Sequence, residues 1–236
     1  MKSRIRYLAL LAVLCVAAAS AQAAPRSVRA TYSATMNGLP IGTISEHFES
    51  DGSTYKIVSD TKPQGLAALI QRQPLRFTSA GALTTQGLKP SQFDGRRSAG
   101  EAPQVSAEFD WGEKQVTLKH QGKIESFPLP PGTQDRLSVM YQFMFLAPER
   151  IRQLDFPMTN GRKIDRYRYR ATDDVEIDTG VGRLKTVHLV KQREPGDTVT
   201  EVWISPRHQN LPVKMLIVEK DGVRFEQLIQ SVEVRD

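Results

Sequence analysis

Turn-forming dipeptides recur at short intervals along this chain, and they leave room only for short segments between them. These dipeptides are Asn37-Gly38, Asp51-Gly52, Gln86-Gly87, Asp94-Gly95, Gln121-Gly122, Asn160-Gly161, Gly196-Asp197 and Asp221-Gly222. Asn and Asp tolerate, and Gly favours, the positive φ angles that tight hairpin turns require. The spacing therefore predicts a sheet of strands joined by short turns.

The segments between the turns alternate apolar and polar side chains, the pattern of a strand with one buried and one solvated face. In 28–36 the apolar side chains, from Val28 to Met36, occupy every second position. Further strands are predicted at 41–50, 54–62, 75–81, 105–110, 115–119, 185–193, 199–205, 212–220 and 223–234. The predicted fold is mainly β: a large curved antiparallel sheet, or a half-open barrel or sandwich, of ten or more strands with one main helix packed against it.

Two segments break the strand pattern. The stronger is 135–147, where Asp135 can cap a helix, an apolar stripe follows at helical spacing, and Pro148 marks the end. The weaker is 64–71, which is either a short helix or an apolar loop. A proline-rich connector precedes the stronger segment, so a boundary between two halves is placed near 128–134, within a predicted single β-rich domain spanning 24–236.

The first 23 residues have the three-part layout of a secretory signal peptide: basic residues at positions 2, 4 and 6, an apolar run over 7–19, and small residues after it. Ala21 and Ala23 stand where a signal peptidase needs small side chains, so cleavage is predicted after Ala23. An uncleaved membrane anchor is the alternative, but the apolar run is shorter than the roughly 20 residues that span a bilayer core. We predict a periplasmic protein with no transmembrane segment after cleavage.

Composition excludes several classes of function for the mature chain. Cys15 is the only cysteine and lies inside the signal segment, so no disulfide, thiol catalysis or zinc-thiolate site is expected after cleavage. Without the three basic residues of the signal, 29 Lys and Arg face 26 Asp and Glu, a net charge of about +3. So weak a charge gives no basic footprint for nucleic acid.

The most highly charged segment is 166–178, which holds three arginines and then four acidic residues. An anion site beside a calcium site is one interpretation of it. The favoured interpretation is two strands joined by the loop 171–173, because that register sets Arg170 opposite Asp174 and continues as a ladder of opposite charges. Such surface pairs contribute little to stability each.

No catalytic or metal-binding motif is present. The histidines are His47, His120, His188 and His208. They stand in separate segments without the spacing of a metal site, so no metal and no cofactor are predicted. The chain has no nucleophile elbow and no phosphate-binding glycine loop, and Ser138 is placed to assist the cap at Asp135. The prediction is a protein that is not an enzyme; a hydrolase assembled from distant residues ranks last.

The apolar load of the predicted helix has two interpretations. It is either a core helix, or it lines or covers an apolar cavity inside the curved sheet, where methionines adapt to flexible ligands. The candidate ligand-binding residues are Leu66, Leu69, Met140, Tyr141, Met144 and Trp203.

Three groups of residues carry a family resemblance. They are Tyr32 with Asn-Gly-Leu-Pro-Ile-Gly at 37–42, Asp-Arg-Leu-Ser-Val-Met-Tyr-Gln at 135–142, and Val-Trp-Ile-Ser at 202–205 followed by Leu-Pro-Val at 211–213. In this combination the chain resembles the exported-protein family called domain of unknown function number 3108. That resemblance implies an envelope location and no activity. The last group is also similar to a strand pair of bacterial lipoprotein carriers, whose half-open barrels hold acyl chains under helices; it serves as an analogy only.

Two functions follow as hypotheses. The first is a non-enzymatic periplasmic binding or carrier module for a lipid or another amphiphile, held between the sheet and the main helix. The second is a structural or interaction protein that docks an envelope protein through a strand edge or an exposed face. An enlarged cavity favours the first, and a solid core with an exposed apolar patch favours the second.

Overall fold

The fold is a single antiparallel sheet of fifteen strands, known from a computed structural model that describes residues 25–65, 68, 75–97 and 102–235. The strands are β1 Ser27–Met36, β2 Leu39–Ser50, β3 Thr54–Pro63, β4 Leu75–Thr84, β5 Gly87–Arg96, β6 Val105–Asp110, β7 Gln115–His120, β8 Lys123–Pro128, β9 Gln134–Asp135, β10 Asp155–Thr159, β11 Ile164–Thr179, β12 Gly182–Lys191, β13 Val199–Ser205, β14 Leu211–Val218 and β15 Arg224–Arg235. Each predicted strand segment lies within or overlaps one of them.

The strand order divides the sheet into two halves that meet at one strand pair. The order is β8-β7-β6-β5-β4-β3-β2-β1-β15-β14-β13-β12-β11-β10-β9. Strands before the predicted boundary near 128–134 form one half, those after it form the other, and β1 pairs with β15 between them. All pairings are antiparallel except that of β9 with β10. The mainly β, curved and open sheet predicted from the sequence is confirmed.

The alternation of side chains along each strand determines which residues lie on the inner face of the sheet, where the core is. In β1 the side chains of Val28, Ala30, Tyr32 and Ala34 are all buried, whereas Met36 at the strand end is 42% exposed. Shifts of register interrupt β1 after Thr31 and after Ala34. Such bulges bend and twist strands, which lets a long sheet curl around its own core.

The predicted helix over 135–147 is wrong in its bounds. The helices of this region are α1, Ser138–Gln142, and α2, Pro148–Ile151, with a 3₁₀ turn at Phe143–Phe145. Asp135 belongs to β9, and Pro148 begins α2 instead of ending α1. The helix is broken because the residue before a proline avoids the helical region, and Ala147 accordingly has ψ of 148°. No helix of the described ranges has the length and apolar composition that crossing a bilayer demands.

The predicted hairpin over 166–178 is also wrong, because β11 runs through it as one sixteen-residue strand. A bulge lies where the loop 171–173 was predicted, and in it Asp174 has a φ of +58°. The arginines find other partners: Arg166 and Arg168 both contact Asp155 on β10, at 2.6 and 3.2 Å. The predicted ladder of charges within this segment therefore does not form.

A second turn prediction fails at Asp94-Gly95, which lies inside β5. The sequence misses this strand because it also contains Pro90, which stands opposite Gly81 at the point where the register between β4 and β5 shifts. Gly95 is needed for packing: a Cβ there would collide with the ring of Phe77 and press against Val105. Here glycine allows close approach and does not mark a turn.

The curled sheet is closed by side chains instead of strand pairing, along a line that we call the seam. The seam joins β4 and β5 to β9 and α1. Across it Ser79 donates to Asp135 at 2.6 Å, Gln134 donates to the carbonyl of Leu88 at 2.9 Å, and Gln142 accepts from the Leu88 amide at 2.6 Å. These contacts place α1 against the inner face of the sheet.

Candidate functional site

Three of the six predicted site residues come together on the inner face. Tyr141 is fully buried, and its ring stacks on Phe48 with 5.3 Å between centroids. Met140 and Met144 are half-buried and pack against the core beside it. Leu66 and Leu69 lie outside the described residues.

Trp203 shares a buried cluster with Tyr141 but stands on another element, β13. Its strand neighbours Val202 and Ile204 pack beneath α1 with Val139 and Phe143, so alternation places Trp203 on the opposite face of β13. There its ring stacks on His188, with centroids 4.2 Å apart. Trp203 belongs to the same large cluster of buried residues as Tyr141, against which Met140 and Met144 pack.

Glu46 brings a carboxylate to the inner face beside Tyr141. Its two oxygens accept hydrogen bonds from the hydroxyls of Tyr141 and Ser59, each at 3.2 Å. Burial raises the pKa of Glu46, while the two hydrogen bonds and the charge of Arg136 oppose that rise. The fold therefore favours the protonated form of this carboxyl more than water does.

A second buried carboxylate, Asp135, organises the start of α1. Its Oδ1 accepts the amides of Leu137 and Ser138 at 2.8 and 2.9 Å, so it caps the chain as predicted although it stands in β9. Its Oδ2 accepts the hydroxyl of Ser79, which also shares a hydrogen bond with Tyr55 at 3.1 Å. Burial raises the pKa of Asp135. The arrangement orders the seam, and no histidine of the described residues is hydrogen-bonded to it.

Arg136 carries the opposite charge into the same region. Its guanidinium lies over the ring of Phe77, 4.4 Å from the centroid. The side chain is exposed to solvent, yet desolvation by the surrounding protein lowers the pKa of Arg136, and the nearby Glu46 and Asp135 counter that effect.

Phe77 also lines a recess at one end of the seam. Its volume is about 150 Å³. The residues that line it are Leu75, Phe77, Gly95, Arg97, Gln104, Val105 and Arg162. Arg162 comes from the turn between β10 and β11, and this turn reaches the recess because Gly161 packs on Val105 and Phe93. We call this space the seam recess.

The outer face of the sheet has a wider groove, with a volume of about 440 Å³, across β1 to β4. In this groove Arg76 contacts Asp60 at 2.7 Å, and His47 contacts Glu49 at 3.2 Å. The described residues contain no cluster of three or more metal-ligating side chains.

The sequence did not predict the seam recess. Its lining residues Phe77, Val105 and Arg162 are separated by long stretches of chain, and each lies in a segment that the pattern explains without a site.

Comparison with protein families gives one match. The model of the family described as protein of unknown function (DUF3108) matches residues 31–228. No curated protein sequence matches the chain.

Two solved structures were compared with this one. A β-barrel-like protein of the DUF1849 family from Brucella abortus covers 90% of this chain and 99% of its own, at 10% identity and a TM-score of 0.54. A putative outer membrane lipoprotein-sorting protein domain from Vibrio parahaemolyticus covers 88% and 85%, at 9% identity and a TM-score of 0.26. The first likeness shows a shared fold, and the second is too low to do so.

Proposed function

The chain belongs to the DUF3108 family of proteins of unknown function, and we propose that this member is a non-enzymatic binding or carrier module for an amphipathic, lipid-like ligand in the bacterial cell envelope. The ligand lies between the inner face of the sheet and α1. The mature protein is periplasmic, as the three-part layout of residues 1–23 predicts.

The observation that carries this proposal is the placement of half-buried methionines at the junction of two cores. Met140 packs against both clusters of buried residues, one around Tyr32 and Phe48 and the other around Phe143 and Leu189. Methionine is unbranched and adapts its shape to its surroundings. A helix held by side chains at a seam, with flexible apolar residues beneath it, is suited to admit an apolar chain.

The size of the seam recess limits what it holds. Ligand pockets commonly have volumes of about 300–1,000 Å³, and the recess has about 150 Å³. It therefore fits one end of an amphiphile, and the rest of the ligand requires a displacement of Met140, Met144 or α1. A carrier that must open to take up its ligand is more compatible with an open sheet than with a closed barrel.

The test is native mass spectrometry of the protein purified from the periplasm of a bacterial host, together with organic extraction of any bound small molecule. The expected result is a protein that begins at Ala24 and carries a stoichiometric amphiphile. Changing Met140→Glu and Met144→Glu together should abolish the bound mass, because a carboxylate excludes an apolar chain.

The matched control is Met36→Glu, since Met36 is already exposed at the end of β1. This variant should keep the ligand. Retention of the ligand by the double methionine variant would mean that the ligand is bound elsewhere. A wild-type protein with no bound ligand would place the interaction hypothesis first.

One observation favours that second hypothesis. At one end of the strand order all six residues of β8 are exposed, and they include the apolar side chains of Ile124 (66% exposed) and Phe127 (36%). An edge strand presents backbone groups that can pair with an added strand. A protein partner docked at β8 would be compatible with a ligand inside the sheet.

A further inference from the structure

The strand β8 leaves one edge of the sheet open. It stands at the end of the strand order, beside β7, and all six of its residues are exposed. Gln121 and Gly122 have φ angles of +49° and +77°, as in the two-residue type I′ turn of a hairpin. In such a hairpin Lys123, next to the turn, is hydrogen-bonded to β7, and the pattern alternates from there. The N–H and C=O groups that β8 turns outward are therefore those of Ile124 and Ser126.

The two faces of β8 carry different side chains. Glu125 stands opposite the buried Leu118 of β7, so Glu125 and Lys123 share the inner side of the strand. Ile124, which is 66% exposed, is on the outer side. Lys123 forms no ion pair within the part of the chain that the structure describes, and Glu125 lies 3.7 Å from His120 with 51% of its side chain exposed. The edge thus presents two opposite charges two residues apart.

This arrangement of charges is complementary to itself. When a second copy of β8 pairs antiparallel with the first and Ile124 stands opposite its own counterpart, the outward backbone groups of the two strands face each other. Lys123 then stands opposite Glu125 of the second copy, and Glu125 stands opposite Lys123 of the second copy. Both are pairs without a backbone hydrogen bond, in which side chains approach most closely. The two Ile124 side chains meet on the outer side and remove apolar surface from water.

The neighbouring registers of such a pair are unfavourable. Because opposite side chains lie on the same face of a sheet, a symmetric pair always places one residue opposite itself. The next register in one direction sets Glu125 against Glu125 of the second copy, and the next in the other direction sets Lys123 against Lys123 of the second copy. Like charges directly opposite each other destabilise a strand pair. Inward charges of a single sign would protect the edge from pairing, whereas this pair of opposite charges selects one register.

From this geometry we infer that β8 is a docking surface for a second copy of this chain, with the two β8 strands paired antiparallel about Ile124. The dimer continues the sheet across a two-fold axis, and the pairs of Lys123 with Glu125 fix its register. This inference names the partner for the docking hypothesis and does not depend on the proposed carrier function.

The test is sedimentation velocity of the mature protein over a series of concentrations up to about 1 mM, where weak dimers are populated. The wild type should dimerise. Lys123→Glu and Glu125→Lys should each weaken dimerisation about tenfold or more, because each change replaces two attractive pairs with two repulsive ones. An equimolar mixture of these two variants should restore the dimer, since every opposing pair is again of opposite charge. The double variant, in which the two charges are exchanged, should dimerise like the wild type.

The matched control is Glu113→Lys, which makes the same change of charge in the exposed turn between β6 and β7 and should leave dimerisation unchanged. Ile124→Pro removes an outward N–H that β7 does not use, so it should abolish the dimer while circular dichroism shows a folded protein. A wild type that stays monomeric at every concentration would overturn the proposal. A dimer that both single charge variants retain would also overturn it, as would a mixture of the two that does not restore the dimer.

Discussion

At the candidate site, folding changes the pKa of the Glu46 carboxyl group. Its carboxyl group lies on the inner face of the sheet, and burial raises its pKa above the ordinary value of about 4.5. The protonated form is thus favoured by folding. Its contribution to stability is fully present below the ordinary carboxyl pKa and is lost as the pH rises through the raised value.

Glu46→Gln should therefore gain stability relative to the wild type as the pH rises from mildly acidic to neutral. The glutamine amide resembles the protonated carboxyl in shape. Because it does not ionise, its burial does not become less favourable as the pH rises. The measurement is the free energy of unfolding in urea across this pH range.

The control for this change is Glu113→Gln, because Glu113 lies in an exposed turn between β6 and β7. The difference in the free energy of unfolding between Glu113→Gln and the wild type should not change comparably with pH. Parallel pH profiles for the wild type and Glu46→Gln would contradict the assignment of a raised pKa to Glu46.

At the scale of elements, the short helix α1 depends on the seam for its position. Five residues make a helix too short to be stable alone. Gln142 at its end accepts the Leu88 amide at 2.6 Å and donates to the carbonyl of Gln86 at 2.8 Å, so one side chain holds the β4–β5 turn. Gly87 in that turn has a φ of +97°, and a Cβ there would collide with Gln142.

Gln142→Ala should lower the free energy of unfolding by about 1–3 kcal/mol, because it leaves a half-buried backbone amide and a carbonyl without their partner. Urea denaturation measures this loss. The control is Gln192→Ala, an exposed residue after β12, which should change stability by less than about 0.5 kcal/mol. Equal effects of the two substitutions would show that the α1 contact with the turn is not stabilising.

At the scale of the molecule, the open question is whether the two halves of the sheet unfold together. We propose a single domain over residues 24–236, because β1 and β15 pair along ten residues of β1 and the seam joins β4 and β5 to β9. The chain has two tryptophans, and they report separately: Trp111 lies after β6 in one half and Trp203 lies in β13 in the other.

Single-tryptophan variants, Trp111→Phe and Trp203→Phe, should show fluorescence transitions in urea that each coincide with the loss of far-ultraviolet circular dichroism of the same variant. Coincidence in both variants would show one cooperative unit. A Trp111 signal that changes at a different urea concentration from the circular dichroism would instead place a domain boundary near 128–134.

Local features of the sequence determined the strands and most of the turns. Alternation gave the buried face of β1, and Asn37-Gly38 gave a turn with φ angles of +49° and +80°, because both depend only on neighbouring residues. Local signals failed at Asp94-Gly95 and at the predicted loop 171–173. A glycine can allow close packing and an aspartate can sit in a bulge as readily as either can form a turn.

Only the tertiary structure decided where the two halves meet and what lies between them. Ser79 and Asp135 are 56 residues apart in sequence, and no periodicity near either residue indicates the other. The seam recess likewise requires the turn after β10 to reach β6, which depends on the accumulated twist and curl of the sheet. Strand formation follows from local alternation, whereas contact between strands that are distant in sequence follows from the shape of the whole sheet.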